Sequence, residues 1–225
     1  MLDLAVIASN FRFLVLQGLF GVGAFGGGTL RLAIPAIVLG FLLGIGVGLA
    51  RLARAPWIRL PASTYVEFFR GVPLVMVIFW IWFIIPQLLR LPIPEYGVAL
   101  TAFVIFEAAY FGEIVRAGIQ SVPRGQGEAA IAIGLTPAQA MRFIVLPQAL
   151  RNMVPSLVTQ MIVLFKDTSL ASIIGYVDLT KAAQIVNNRE IRPFELYLFI
   201  AVVYWICTYS MSRVARRFER RTAAA

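Results

Sequence analysis

The sequence predicts an all-α integral membrane protein with about five transmembrane helices. Its 225 residues are 60% hydrophobic and 14% charged, whereas a soluble domain is about 45 to 50% apolar and about 25% charged. Residues 32–50 and 71–89 are each 19 residues long and contain no charged side chain, close to the roughly 20 residues that cross a hydrocarbon core of about 30 Å. These observations exclude an ordinary soluble fold and predict one membrane domain over residues 1–225.

Five spans are predicted along the chain, at about residues 31–51, 71–90, 96–116, 152–177 and 194–212. Polar residues interrupt the last three, which makes their pattern weaker. Residues 10–30 could form a sixth span, but Arg12 and several glycines favour a segment that lies on the membrane surface or packs against the bundle. In the first span, glycines recur every fourth residue and predict close packing of a neighbouring helix: Gly40, Gly44 and Gly48.

The distribution of basic residues predicts the orientation in the membrane. Thirteen arginines fall between spans one and two, between spans three and four, and in the C-terminal tail, against six basic residues in the alternate segments. Because cytoplasmic segments accumulate Lys and Arg, the N-terminus is predicted to be periplasmic and the C-terminus cytoplasmic. The basic tail, residues 213–221, is then explained by topology and contact with anionic lipid, and no nucleic-acid partner is predicted.

The composition also excludes several kinds of chemistry. There is one cysteine, Cys207, and no histidine, so no internal disulfide, cysteine-based metal cluster or histidine-based catalysis is expected. Asp3 stands where a signal peptide would carry basic residues, and no removable signal is expected. No G-x-x-x-x-G-K-[ST] sequence is present, so the chain is not expected to bind ATP in the P-loop manner or to be an enzyme by itself.

Residues 118–148 are too polar to cross a membrane and predict two short helices joined at a bend. Pro123 can open the first helix, and Gly134 can end it in a left-handed C-terminal cap. Thr136 is placed as the next N-cap, with Gln139 three residues later completing a capping box. Pro147 then ends or kinks the second helix. The result is a helix-turn-helix elbow, which by geometry alone could be a structural bracket.

The elbow carries a spaced motif. Glu128-Ala129-Ala130 is followed by three residues, Gly134, nine residues and Ile144-Val145-Leu146-Pro147. This pattern resembles the EAA motif of ABC-importer permease subunits. EFFRGVPL (67–74), FGEIVRAGIQSVPRGQGEAA (111–130) and LFKDTSLASIIG (164–175) are similar to the polar amino acid permeases of that superfamily. Residues 106–121 and 153–170 resemble most closely the glutamate/aspartate permeases, and the similarity covers about residues 14–215.

The resemblance implies a type I permease of the bacterial inner membrane, without a cofactor. A periplasmic amino acid binding protein would deliver substrate, two permeases (a second copy or a homologue) would form the path, and a cytoplasmic ATPase dimer would drive it. The motif residues would then be the coupling residues: Glu128, Ala129, Ala130, Gly134, Ile144, Leu146 and Pro147. Glu128 would meet a basic group of the ATPase, and the exposed alanines would allow close approach. The alternatives are a permease for basic or amide amino acids and a non-transporting membrane anchor.

Charges inside the spans are the remaining candidates, because a charge at the bilayer centre costs about 2.5 to 3.5 kcal/mol on insertion scales. Glu113 and Arg116 lie three residues apart and predict a local ion pair. Lys166 and Asp167 are adjacent and point in different directions on a helix, so each needs its own partner. Glu107 or a substrate carboxylate could meet Lys166, so both readings stay open. The substrate-path candidates are Glu107, Lys166, Asp167, Thr168 and Ser169.

Overall fold

A computed structural model describes residues 5–23, 26–90 and 92–223. Asp3, the end of the chain at Ala225 and two residues of the 10–30 segment, Ala24 and Phe25, lie outside the described residues. Within these ranges every regular element is a helix, which confirms the predicted all-α class.

The helices run in the following order. The first, α1 (Ala5–Arg12), continues as a π-helical segment (Phe13–Phe20) and is followed by α2 (Thr29–Arg51), α3 (Pro56–Gly71), α4 (Leu74–Leu89) and α5 (Glu95–Gln120). The elbow contains α6 (Arg124–Ala132) and α7 (Pro137–Ala140), and α7 passes through a π turn (Met141–Val145) into α8 (Leu146–Asp167). A 3₁₀ segment (Thr168–Ile174), α9 (Leu179–Glu190) and α10 (Pro193–Ala223) complete the described chain.

In the described chain, four helical segments are long and apolar enough to cross a membrane: Thr29–Arg51, Glu95–Gln120, Pro137–Ile174 and Pro193–Arg216. A fifth span is reached if α3 and α4, which meet at 105°, are taken as one broken span. The sequence reasoning left residues 52–70 as a connection, and the structure makes most of it helical. The break follows from Pro73, because the residue before a proline is held in an extended conformation, and Val72 has φ −111° and ψ 140°.

Helices α2 and α5 approach each other closely. Gly40, Gly44 and Gly48 are all buried on the face of α2 that meets α5. A Cβ atom at Gly44 would lie 2.6 Å from the Phe111 Cβ, and one at Gly48 would lie 2.7 Å from the carbonyl oxygen of Gly112. The predicted role of the glycine repeat in close helix packing is confirmed.

The N-terminal segment packs against α9. Leu14 is fully buried beside Leu179 and its neighbours, and Gly18 lies directly against Ala182. The Thr29 hydroxyl ties the two regions together, since it donates to the carbonyl of Gly18 at 3.2 Å and accepts from the N–H of Leu179 at 3.1 Å. The described part of residues 10–30 therefore packs against the bundle, which was one of the positions considered for this segment.

Candidate functional site: a polar groove and an exposed elbow

The elbow has the local structure that its turn residues predict. Gly134 ends the first helix with φ +93°, the left-handed region in which a Cβ is penalised. The Thr136 hydroxyl accepts from the N–H of Gln139 at 3.3 Å, and the Gln139 side chain accepts from the N–H of Thr136 at 2.9 Å. The capping box is therefore confirmed. Pro147 does not end the second helix: the π turn over Met141–Val145 precedes it and the helix continues, as expected where a proline removes a backbone donor.

Exposure within the motif differs from the prediction at one residue. Glu128 and Ala129 are exposed, but Ala130 is only 3% exposed, so the expectation that all three face outward was wrong. Successive helix positions are about 100° apart, and Ala130 falls on the inner side of α6. Apolar side chains are exposed instead: Ile131 and, at 80%, Ile133. Further along, Gly134, Leu146 and Pro147 are exposed and Ile144 is half-buried.

A polar groove runs along the face shared by α5 and α8, and we refer to it as the α5–α8 groove. Its wider part is a cavity of about 380 Å³, within the usual range for small-molecule sites. A second cavity of about 270 Å³ shares Glu113 and Ser156 with the first and extends to Ser121 and Asn152, next to the elbow. Six polar or aromatic side chains line the wider part: Arg70, Tyr110, Glu113, Ser156, Thr159 and Gln160.

Glu113 is the centre of a charge cluster in this groove. Arg116 reaches both carboxylate oxygens, with Nη2–Oε1 at 2.6 Å and Nε–Oε2 at 3.1 Å, which confirms the predicted local ion pair. Arg51 of α2 also donates to Oε2, and Arg70 of α3 lies 3.9 Å from Oε1. The cluster therefore joins three helices, whereas the sequence spacing predicted only the contact within α5.

The predicted substrate-path residues are separated by the fold. Glu107 is fully buried, and its Oε2 accepts from the Gln160 side chain at 2.8 Å, while its Oε1 is buried with no hydrogen-bond partner in the described chain. Asp167 is half-buried and does not line the wider cavity of the α5–α8 groove. Lys166 is exposed, and among the described residues no ion pair joins it to Glu107. The considered Glu107–Lys166 pair is absent because the two side chains occupy different environments.

The two residues that follow also differ in position. Thr168 is fully buried and donates its hydroxyl to the Phe165 carbonyl at 2.7 Å. Ser169 is half-buried, and its carbonyl accepts from the Ser172 hydroxyl at 2.7 Å. These hydrogen bonds hold the 3₁₀ segment after α8 and leave the Thr168 hydroxyl committed as a donor. Neither residue lines the wider cavity of the α5–α8 groove.

Of the six polar or aromatic side chains that line the wider part of the groove, sequence reasoning had singled out only Glu113. Arg70 and Gln160 are two of the five that it missed. Arg70 was counted only as part of the basic connection between spans, and Gln160 carries no charge to draw attention within an apolar run. The available signal for Arg70 was its place directly before Gly71-Val72-Pro73, a break inside a membrane-spanning region. Breaks of this kind are common at substrate sites of transporters.

Comparisons with known proteins agree with this architecture. The family model described as "Binding-protein-dependent transport system inner membrane component" matches residues 36–224. The "Glutamate/aspartate import permease protein GltK" of Escherichia coli O6:H1 is 42% identical over 202 residues, covering 87% of this chain and 90% of that protein. The "Probable glutamine ABC transporter permease protein GlnP" of Bacillus subtilis is 41% identical over 86% of this chain and 89% of that protein.

A solved structure of an amino acid ABC transporter is similar to this chain in its fold. The crystal structure of an amino acid ABC transporter with histidines contains a chain that superposes with a TM-score of 0.90. That chain is 35% identical in sequence, and the match covers 98% of this chain and 99% of the other.

Proposed function

Because this chain belongs to the family of binding-protein-dependent transport system inner membrane components and is a permease subunit of an ABC importer for amino acids, we propose that it imports acidic amino acids, glutamate and aspartate. The observation that carries the substrate is the charge cluster beside the α5–α8 groove, in which Arg51, Arg70 and Arg116 meet the single carboxylate of Glu113. Arg70 lines the wider part of the groove itself. An excess of positive charge in a groove attracts an anionic solute. The similarity to a protein named for glutamate/aspartate import supports the same substrate class.

We propose that the chain forms half of the path and is driven by a partner. A second permease, either another copy or a homologue, would complete the path, a periplasmic amino acid binding protein would deliver substrate, and a cytoplasmic ATPase dimer would dock on the elbow. The exposed Ile131 and Ile133 support the docking, because apolar side chains outside a membrane span commonly mark contact surfaces. The elbow also continues directly into α8, so that a displacement there would reach the groove.

Uptake by reconstituted complexes tests the substrate. Liposomes that contain the permease, its ATPase and its binding protein should accumulate labelled L-glutamate only with ATP, and unlabelled aspartate should compete. Competition by glutamine but not by aspartate would favour an amide substrate, an alternative that the relative named for glutamine supports. Competition by arginine alone would favour a basic substrate. A folded complex with no ATP-dependent uptake of any amino acid would indicate a membrane anchor.

Variants of the elbow test the docking. Ala129→Arg and Ile133→Asp change exposed side chains of the elbow, so both should leave the permease inserted and folded while lowering ATPase co-purification. Ala138→Arg, at an exposed position of α7 outside the motif, is the matched control and should retain the ATPase. Ala130→Arg should instead reduce folded permease, because Ala130 is buried and an unpartnered buried charge is strongly destabilising. If both exposed variants retain full ATPase co-purification and full substrate-stimulated ATP hydrolysis, the elbow does not couple the ATPase to the permease and has only a structural role.

A further inference from the structure

Arg70 lines the α5–α8 groove, and its N–H groups donate no hydrogen bond to the described residues. Both oxygens of Glu113 are occupied at short range by Arg116 and Arg51. Arg70 lies 3.9 Å from Oε1, beyond hydrogen-bond distance, and donates no hydrogen bond within the part of the chain that the structure describes. Its side chain is 46% exposed, whereas that of Arg51 is 13% exposed. Arg70 therefore presents its guanidinium to the cavity, while the other arginines are engaged with Glu113.

The surroundings of Arg70 hold it in place and leave it positive. Its guanidinium carbon lies 5.8 Å from the centre of the Tyr110 ring, a cation–π distance. Three guanidinium groups and one carboxylate meet in this cluster, so its formal charge is 3 − 1 = +2. A planar guanidinium that is positioned by an aromatic ring and still has its N–H groups free is suited to bind a carboxylate through two parallel hydrogen bonds.

The groove also has a pole of the opposite kind. The Gln160 amide nitrogen donates to Glu107, which fixes the amide and leaves its carbonyl oxygen as the acceptor. Tyr110 and Gln160 both line the wider part of the groove, as does Arg70. An amino acid carries a carboxylate and an ammonium, and a cavity that offers a cation together with acceptors is complementary to both.

We propose that Arg70 binds a carboxylate of the transported amino acid within the permease, an assignment that rests on the proposed amino acid import. Either the α-carboxylate, common to all amino acids, or the side-chain carboxylate of an acidic amino acid supplies this chemistry. Arg70 would then be a substrate-binding residue. Glu113, with its two close arginines, would have a structural role beside it. Loss of a charge-assisted bidentate contact lowers affinity by roughly 10- to 100-fold.

The test measures binding to the purified permease–ATPase complex without the binding protein, so that selectivity belongs to the permease. Tritiated L-glutamate is the probe, and the variants are Arg70→Gln, Arg70→Lys and the control Arg59→Gln. Arg59 is exposed on the same helix, α3, and lines none of the cavities described. Arg70→Gln should weaken binding roughly 10- to 100-fold, Arg70→Lys should weaken it less, and Arg59→Gln should match wild type. Glu113 keeps its two close partners in Arg70→Gln, so the complex should fold.

Two isomeric amides distinguish the source of the carboxylate. Glutamine retains the α-carboxylate and lacks the side-chain carboxylate, and isoglutamine, the α-amide of glutamate, has the reverse. If Arg70 binds the α-carboxylate, wild type should prefer glutamine as a competitor and Arg70→Gln should abolish that preference. If Arg70 binds the side-chain carboxylate, wild type should prefer isoglutamine, and the same variant should abolish that preference.

The outcomes separate this assignment from the proposed function. An unchanged ratio of the two amide affinities in Arg70→Gln, with or without a general loss of affinity, would overturn the assignment, because a purely structural role weakens both amides alike. If wild type takes up glutamate with ATP, and Arg70→Gln takes up and binds glutamate as well as wild type does, the assignment of Arg70 is overturned. The proposed import of amino acids would remain. Absence of uptake and of binding for every amino acid by folded wild-type complex would remove both.

Discussion

Replacing Gly44 with alanine should separate α2 from α5 and destabilise the bundle, whereas the same change at Gly46 should not. The two glycines lie two positions apart on α2 and point to different sides. A Cβ at Gly44 would meet the Phe111 Cβ at 2.6 Å, the Gly112 nitrogen at 3.1 Å and the Ala108 carbonyl oxygen at 3.2 Å. A Cβ at Gly46 would meet no atom within 4 Å in the described chain.

The magnitude follows from these distances. Non-bonded carbons pack best at about 3.5 to 4.0 Å, so α2 and α5 would have to move apart locally by about 1 Å. Forcing extra atoms into a packed interior costs about 1 to 3 kcal/mol. Alanine also favours a helix over glycine by about 1 kcal/mol, and this gain applies to both positions. The difference between the two variants therefore isolates the packing cost, about 1 to 3 kcal/mol.

Thermal unfolding of the purified permease in one detergent measures this difference. For a chain of this size 1 kcal/mol corresponds to about 2 to 4 °C, so Gly44→Ala should melt about 2 to 12 °C below Gly46→Ala. Gly48→Ala should behave like Gly44→Ala, because its Cβ would lie 2.7 Å from the Gly112 carbonyl oxygen. Equal melting temperatures for the Gly44 and Gly46 variants would refute the packing argument.

Three further outcomes are expected. Burial raises the pKa of Asp178 to about 6 from 3.8 although the N–H groups of Thr180 and Lys181 donate to it; the folded state therefore holds the proton more tightly than the unfolded state. Protonated Asp178 therefore contributes its full stabilisation of the fold below about pH 4, and this contribution is lost as the pH rises through about 6. Between these limits the free energy of unfolding of wild type should fall by up to about 3 kcal/mol relative to that of Asp178→Asn, as measured by unfolding at a series of pH values. Lys166→Ala should leave the amount of folded permease in size-exclusion profiles unchanged, since Lys166 is exposed and outside any ion pair in the described chain; a loss of folded protein would restore the structural pairing. Reporter fusions at residue 185 and at Ala225 should give periplasmic and cytoplasmic signals, and the reverse pair would contradict the orientation.

The sequence by itself determined the features that depend on neighbouring residues. Apolar length predicted a membrane bundle, and the elbow's turn at Gly134 and its capping box at Thr136 follow from backbone and side-chain preferences over a few positions. The spacing of Glu113 and Arg116 on one helix predicted their ion pair for the same reason. Close packing at Gly44 was also predictable, because a row of glycines on one helix face has few other structural uses.

Only the tertiary structure decided which distant residues share the α5–α8 groove. Arg51, Arg70 and Glu113 come from three helices, and their meeting depends on the crossing of α2, α3 and α5, which local patterns do not encode. The same is true of Gln160 with Glu107, 53 positions apart. The inward direction of Ala130 was likewise decided by packing, since its helical phase matters only relative to the partner helices. Periodicity specifies which side chains share a face, but the arrangement of whole helices determines what each face meets.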